Sequence, residues 1–247
     1  MQKIATFFIL TLVLLASFSL PTKAQNNILF SLQRHTYIEG DRSISIGLRN
    51  AESTPYLVQA SLARLDESSG VKQLNNEETV PFIITPPLHK LEVGTYYDWR
   101  VMFSGNSQLL PKDRESVYLA KYLLIPPSQK EAAPNVDLNV MRSLVFKIYY
   151  RPKSLASLEI KDMEDKLSFR RDGELLIVKN NSPLYLVFDK VSIGKTVVDE
   201  KELFKPLPPF AEQTFNLPKN TPIDSNVEWN LLDEYSFSLE KQNSKLN

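Results

Sequence analysis

Proline sets the first limit on this chain. Sixteen prolines are spread along 247 residues, and no run of a dozen residues between them holds helical spacing. Short runs rich in Val, Ile, Leu, Tyr and Phe recur instead. Asn, Asp, Gly, Ser and Pro separate them, the punctuation of β-strands and turns. Strands are predicted over Leu29–Ile38, Ser43–Arg49, Tyr56–Leu65, Pro81–Thr85, Tyr96–Phe103, Ser116–Leu124 and Val136–Tyr150. A second set follows at Leu167–Arg171, Glu174–Lys179, Tyr185–Ile193, Thr196–Val198, Glu212–Leu217, Val227–Leu232 and Tyr235–Glu240. About seven short strands per half predict an all-β chain of two immunoglobulin-like sandwiches. The join is expected at Arg151-Pro152-Lys153-Ser154, where proline ends a ladder. The domains are accordingly placed at 25–151 and 152–247.

The N-terminus reads as a secretory signal peptide over residues 1–24. Met1-Gln2-Lys3 is followed by the apolar stretch Ile4–Leu20, and Thr22 and Ala24 suit a cleavage site. A membrane anchor is the rival, but the apolar stretch is short for crossing ~30 Å of hydrocarbon, and no basic cluster follows it. No second stretch could span a bilayer, so no membrane insertion is expected after cleavage. The chain has no cysteine. An exported protein without disulfides must be held by its core alone, and a hydrophobic content of 43% allows that. Basic and acidic groups balance at 29 each, which argues against nucleic acid as a partner.

The 15-residue run Val136–Tyr150 is long for a strand, where ~5–6 residues are usual. Val136, Leu138 and Val140 share one face, with Asp137 and Asn139 on the other. Two readings stand side by side: a bent strand spanning both sheets of its own sandwich, or an edge kept open for another polypeptide by strand addition.

Catalytic patterns are missing. The only histidines, His35 and His89, lack a second ligand at metal spacing, and no nucleophile elbow, phosphate loop or dinucleotide fingerprint is present. Asp66-Glu67 and Glu77-Glu78 are neighbours in turn-like segments, where they read as solvated charges. Asn180-Asn181-Ser182 matches the glycosylation pattern, a match common by chance. No catalytic residue, metal or cofactor is assigned, and the protein is expected to act by contact.

The segment Leu110-Pro111-Lys112-Asp113-Arg114-Glu115-Ser116, with Ile125-Pro126-Pro127 beyond it, resembles the signature of the PapD-like pilus-assembly chaperones. Pro55–Ala60, Thr85-Pro86-Pro87 (where the family has a cis X-Pro bond), Arg100 and Phe146–Pro152 follow the family's order and spacing. Asn180–Tyr185 and Asp233-Glu234-Tyr235 extend the likeness more weakly into the second half. The resemblance implies a boomerang of two immunoglobulin-like domains in the periplasm. Such a chaperone lends its long strand to a pilus subunit and passes the subunit to an outer-membrane usher.

By that resemblance Val136, Leu138, Val140 and Leu144 form the donor strand, and Lys147 with Arg34 anchors the subunit's terminal carboxylate. Glu115, Arg151 and Glu234 form an inter-domain salt-bridge network. Two departures stand out. The first strand reads Arg34-His35-Thr36, so His35 or Thr36 competes with Arg34 for the cleft arginine's place. Arg142 falls where an apolar donor residue is usual. The segment between Pro127 and Val136 is short, as in the subclass that serves rod-like pili. A free edge of this kind also leaves open a self-capping homodimer. The competing function is an exported pilin-like or adhesin subunit.

Overall fold

The computed structural model describes residues 27–30, 34–72, 80–127, 140–223 and 226–246. The expected signal peptide, Val136 and Leu138 lie outside these residues. The chain forms strands β1 (Ile28–Phe30), β2 (Arg34–Ile38), β3 (Ile44–Asn50), β4 (Tyr56–Asp66), β5 (Val71–Lys72), β6 (Phe82–Thr85), β7 (Leu88–Leu91), β8 (Tyr96–Phe103), β9 (Ser116–Ile125) and β10 (Arg142–Arg151). They make one sheet in the order β1-β3-β8-β6 and a second in the order β2-β10-β9-β4-β5, with β7 also on β4. The Thr85–Pro86 bond is cis.

Alternation packs these sheets together. Phe146, Ile148 and Tyr150 of β10, Tyr118, Ala120 and Tyr122 of β9, and Trp99 and Val101 of β8 meet in one buried core. Edge-on aromatic pairs such as Trp99–Tyr122, with centroids 5.1 Å apart, fill its centre.

The second half carries β11 (Leu167–Asp172), β12 (Leu175–Asn180), β13 (Phe188–Ile193), β14 (Thr196–Val197), a single helical turn α1 (Glu200–Leu203), β15 (Glu212–Asn216), β16 (Val227–Leu231) and β17 (Gln242–Ser244). Its sheets run β11-β12-β15 and β14-β13-β16-β17. A separate core gathers Phe169, Val178, Leu186, Phe188, Phe215 and Trp229. The first core ends at Tyr150 and the second begins at Ile160.

Both halves close the same turn with the same residue. Asn50 is fully buried, and its amide donates to the carbonyls of Thr54 (2.8 Å) and Leu91 (3.3 Å). Asn180 is equally buried and donates to Leu184 (2.8 Å) and Leu207 (3.2 Å). Each side-chain oxygen accepts from the backbone N–H two residues on. The glycosylation match at Asn180 is therefore a buried structural turn, with no room for a glycan.

Several predicted strands differ. The single run Leu29–Ile38 is divided: β1 pairs antiparallel with β3, whereas β2 pairs parallel with β10 in the other sheet. The long run Val136–Tyr150 enters the described ladder only at Arg142, because β9, its partner, ends at Ile125. Tyr235–Glu240 is not a strand. Asp233 folds that segment into a turn by accepting from the N–H groups of Tyr235 and Phe237, both at 2.8 Å.

Candidate functional site

The change of sheet between β1 and β2 decides what happens at the edge of β10. Lys147 pairs with Arg34 and Arg151 with Ile38. Continuing that register backwards would set Leu29 and Phe30 opposite Arg142 and Ser143. Those two residues pair instead with Arg49 and Leu48 across the sandwich. On its other side β10 is bonded to β9 from Arg142 to Tyr150. Among the described residues, the first half of β10 thus has a neighbour on one side only. Phe30 closes the corner from inside, edge-on to Phe146 at 5.2 Å.

The side chains along this edge face two ways. Leu144 packs against the chain's own core. It is half-buried there, on the same face of the strand as Arg142 and Val140. Val140 is 67% exposed and Val145 52% exposed. Arg142, on Leu144's side of the strand, is tied back at the mouth of the sandwich. Its guanidinium donates to Glu52 and to the Tyr56 hydroxyl, both at 2.8 Å.

The outer face of the same sheet is the floor of a cleft between the domains. Ala63, Leu119, Val145, Lys147 and Tyr149 line it from the first domain, and Val187, Phe204 and Leu232 from the second, around a cavity of about 310 Å³. Lys147 stands opposite Leu119 in the ladder. Burial, and then the neighbouring Arg34 charge, lower its amine to a pKa of about 8. Its Nζ donates to the carbonyl oxygen of Phe204 at 2.6 Å.

Arg34 lies beside Lys147 as the sequence predicts, but its charge is already matched. Its guanidinium donates to both Glu115 oxygens, at 3.0 and 3.2 Å, and to the Tyr185 carbonyl at 3.0 Å, while stacking 3.7 Å over the Tyr149 ring. The carboxylate that Arg34 holds here is Glu115, far away in sequence. His35 and Thr36, the alternatives for this place, follow Arg34 on β2 and pair with Ile148 and Tyr149.

Glu115 is the centre of the joint. It is 2% exposed and accepts from Arg34, from Arg151 Nε at 2.8 Å and from the Tyr185 N–H at 2.8 Å. Arg151 also donates to the Leu158 carbonyl at 2.7 Å. Glu234 stands further off, 3.7 Å from Arg151, and accepts the Ile160 N–H at 2.9 Å. One carboxylate thus joins β2, β10 and the connection between β12 and β13. Two arginines and two carboxylates balance in this joint, and of its charges Arg34 is the one that acts on Lys147. Asp113 and Arg114 form an exposed pair at 2.8 Å in the preceding turn.

A second contact spans the domains, and the sequence carried no signal for it. The turn after β4 reaches the second domain through Glu67. Its carbonyl accepts from Gln213 Nε2 at 2.7 Å, and its carboxylate accepts from the Tyr185 hydroxyl.

Comparison with known proteins places this arrangement. Residues 30–156 match the profile of the PapD N-terminal domain of pili and flagellar-assembly chaperones. Residues 162–237 match the C-terminal domain of the PapD pili assembly chaperones. The chain belongs to the PapD-like pilus-assembly chaperones. The probable fimbrial chaperone protein ElfD of Escherichia coli K12 is 29% identical over 96% of this chain and 94% of its own length. The chaperone protein MrkB of Klebsiella pneumoniae is 30% identical over 83% of this chain and 84% of its own. Among solved structures, the Salmonella enterica SafA pilin in complex with the SafB chaperone gives a TM-score of 0.74. That match has 23% identity and covers 91% of this chain and 99% of the other. It carries the fold, two immunoglobulin-like sandwiches. The chain is a fimbrial chaperone by family, and fimbrial chaperones of this family are periplasmic.

Proposed function

We propose that this chaperone holds a pilus subunit by pairing it along the open edge of β10, with Lys147 receiving the subunit's terminal carboxylate, and then hands the subunit to an outer-membrane usher. The observation that carries the reading is the conjunction at one strand. Among the described residues the first half of β10 is paired on one side only, and its second half presents a partly buried amine to the cleft. An exposed edge recruits a strand. Among the described residues the amine of Lys147, buried beside Arg34, is hydrogen-bonded to a neutral carbonyl and to no carboxylate. A foreign chain that ends in the cleft supplies both needs at once.

Val140, with Leu138 and Val136 before it in sequence, forms the apolar row offered to the subunit, each side chain removing ~1.5–3 kcal/mol worth of apolar surface from water. The joint built on Glu115, Arg151 and Glu234, and now Arg34, fixes the angle between the domains. Export follows from a signal peptide cleaved after Ala24, and the chaperone acts without catalysis. The experiment is recovery of tagged chaperone from the periplasm of the native host, with the bound subunits quantified by mass spectrometry. Val140→Glu and Lys147→Ala are each expected to lose most bound subunit while remaining folded by circular dichroism. Full loading of both variants rules the reading out.

A further inference from the structure

Phe204 caps α1, and a carbonyl at a helix end has no intrahelical N–H to accept from. The oxygen of Phe204 has taken Lys147 instead, at 2.6 Å across the cleft. Its position depends on Gly70 in the turn after β4. Gly70 has φ of +73°, and a Cβ there would stand 2.6 Å from the Phe204 oxygen and 2.9 Å from its carbonyl carbon. Both are backbone atoms and cannot rotate aside. Glu67, three residues earlier, bonds the same turn to Tyr185 and Gln213. The Phe204 ring is 62% exposed and lines the cavity.

We propose that Phe204 is the second domain's part of the client site: its carbonyl occupies Lys147 in the free chaperone, and a terminal carboxylate binds by displacing it. The inference rests on the reading that Lys147 receives that carboxylate. The exchange is favourable in kind, because an ionised acceptor binds an ammonium group more strongly than a neutral carbonyl does. It also explains how a buried amine beside Arg34 is kept in place before a client arrives. The apolar cavity under the Phe204 ring suits an apolar residue at the client's end, so the recognised group is a carboxylate carried on an apolar terminal residue.

The test uses a fluorescein-labelled octapeptide of alternating serine and valine, ending in valine, as the free acid and as the amide. Wild type is expected to prefer the acid. Gly70→Ala, which pushes Phe204 off Lys147, is expected to bind the acid about tenfold more tightly, since one charge-assisted bond need no longer be broken. Its affinity for the amide stays at the wild-type level. Glu67→Ala, which loosens the same turn by removing its carboxylate bond to Tyr185 while the carbonyl bond to Gln213 stays, moves binding in the same direction by a smaller factor and serves if Gly70→Ala does not fold. An acid preference that neither folded variant strengthens overturns the displacement and leaves the Lys147 reading standing. No acid preference in wild type overturns both.

Discussion

Replacing Lys147 by methionine tests the cleft's electrostatics without any client. Burial and Arg34 lower the amine from 10.5 to about 8. Below pH 8 the folded and unfolded chains both carry the proton, and folding bears the full cost of holding a charged amine in the cleft. Between pH 8 and 10.5 the folded chain has released that proton and the unfolded chain has not, so wild-type stability rises through this window. A shift of this size corresponds to about 3 kcal/mol. Lys147 is partly exposed, which lowers the expectation to about 2 kcal/mol.

Lys147→Met abolishes the titration while keeping most of the apolar stem. Urea unfolding of both proteins at pH 7 and pH 11 gives the difference in stability at each pH. That difference should move in favour of wild type by about 2 kcal/mol on going to high pH. Other lysines and tyrosines titrate alike in the two proteins and cancel. A difference constant to within about 0.5 kcal/mol would show that the cleft does not strain this lysine, and the electrostatic argument for an incoming carboxylate would fail.

Two further outcomes bear on the joint and the edge. Glu115→Ala leaves Arg34 and Arg151 buried without their shared carboxylate, and should cost about 3–5 kcal/mol in chemical denaturation; a loss under about 1 kcal/mol would mean the joint relaxes into water. Phe146→Ala empties the corner where Phe30, Tyr122 and His35 meet it. It should cost about 3–5 kcal/mol and raise hydrogen exchange in β10 first; uniform protection across β9 and β10 would contradict the weak-edge account.

The strands were readable where local pattern and pairing agree. Tyr96–Phe103 is bounded by turn residues and alternates from Tyr97 to Val101, and it matches β8 residue for residue. The change of sheet within Leu29–Ile38 was not readable, because the run is apolar on both sides of it and no glycine or proline marks the crossing. Of the long run Val136–Tyr150, the part from Arg142 onward is a strand in the described residues, and Val136 to Asn139 lie outside them.

At the site, Lys147 was legible from its motif, whereas the competition for Arg34 was not. Nothing near Arg34 in sequence announces Glu115, which arrives through the pairing of β2 and β9 on either side of β10. Phe204 follows a charged helical turn and reads as an ordinary surface residue. One signal was present and went unused. Asn50 with Pro55-Tyr56-Leu57-Val58 is echoed by Asn180 with Pro183-Leu184-Tyr185-Leu186-Val187, and the shared asparagine turn marks the two halves as repeats of one design.

The crossover between β1 and β2 also rations how sticky the molecule is. By sending Leu29 and Phe30 to the far layer, the chain keeps both off the backbone of Arg142 and Ser143, and β2 then shuts the seam at Lys147. Such a gap can seat one guest, yet it ends against the chaperone's own β2 before a stack of copies could propagate along it. The safeguard against self-assembly is thus carried by where a neighbouring strand begins, with no need for special chemistry on the lent strand itself.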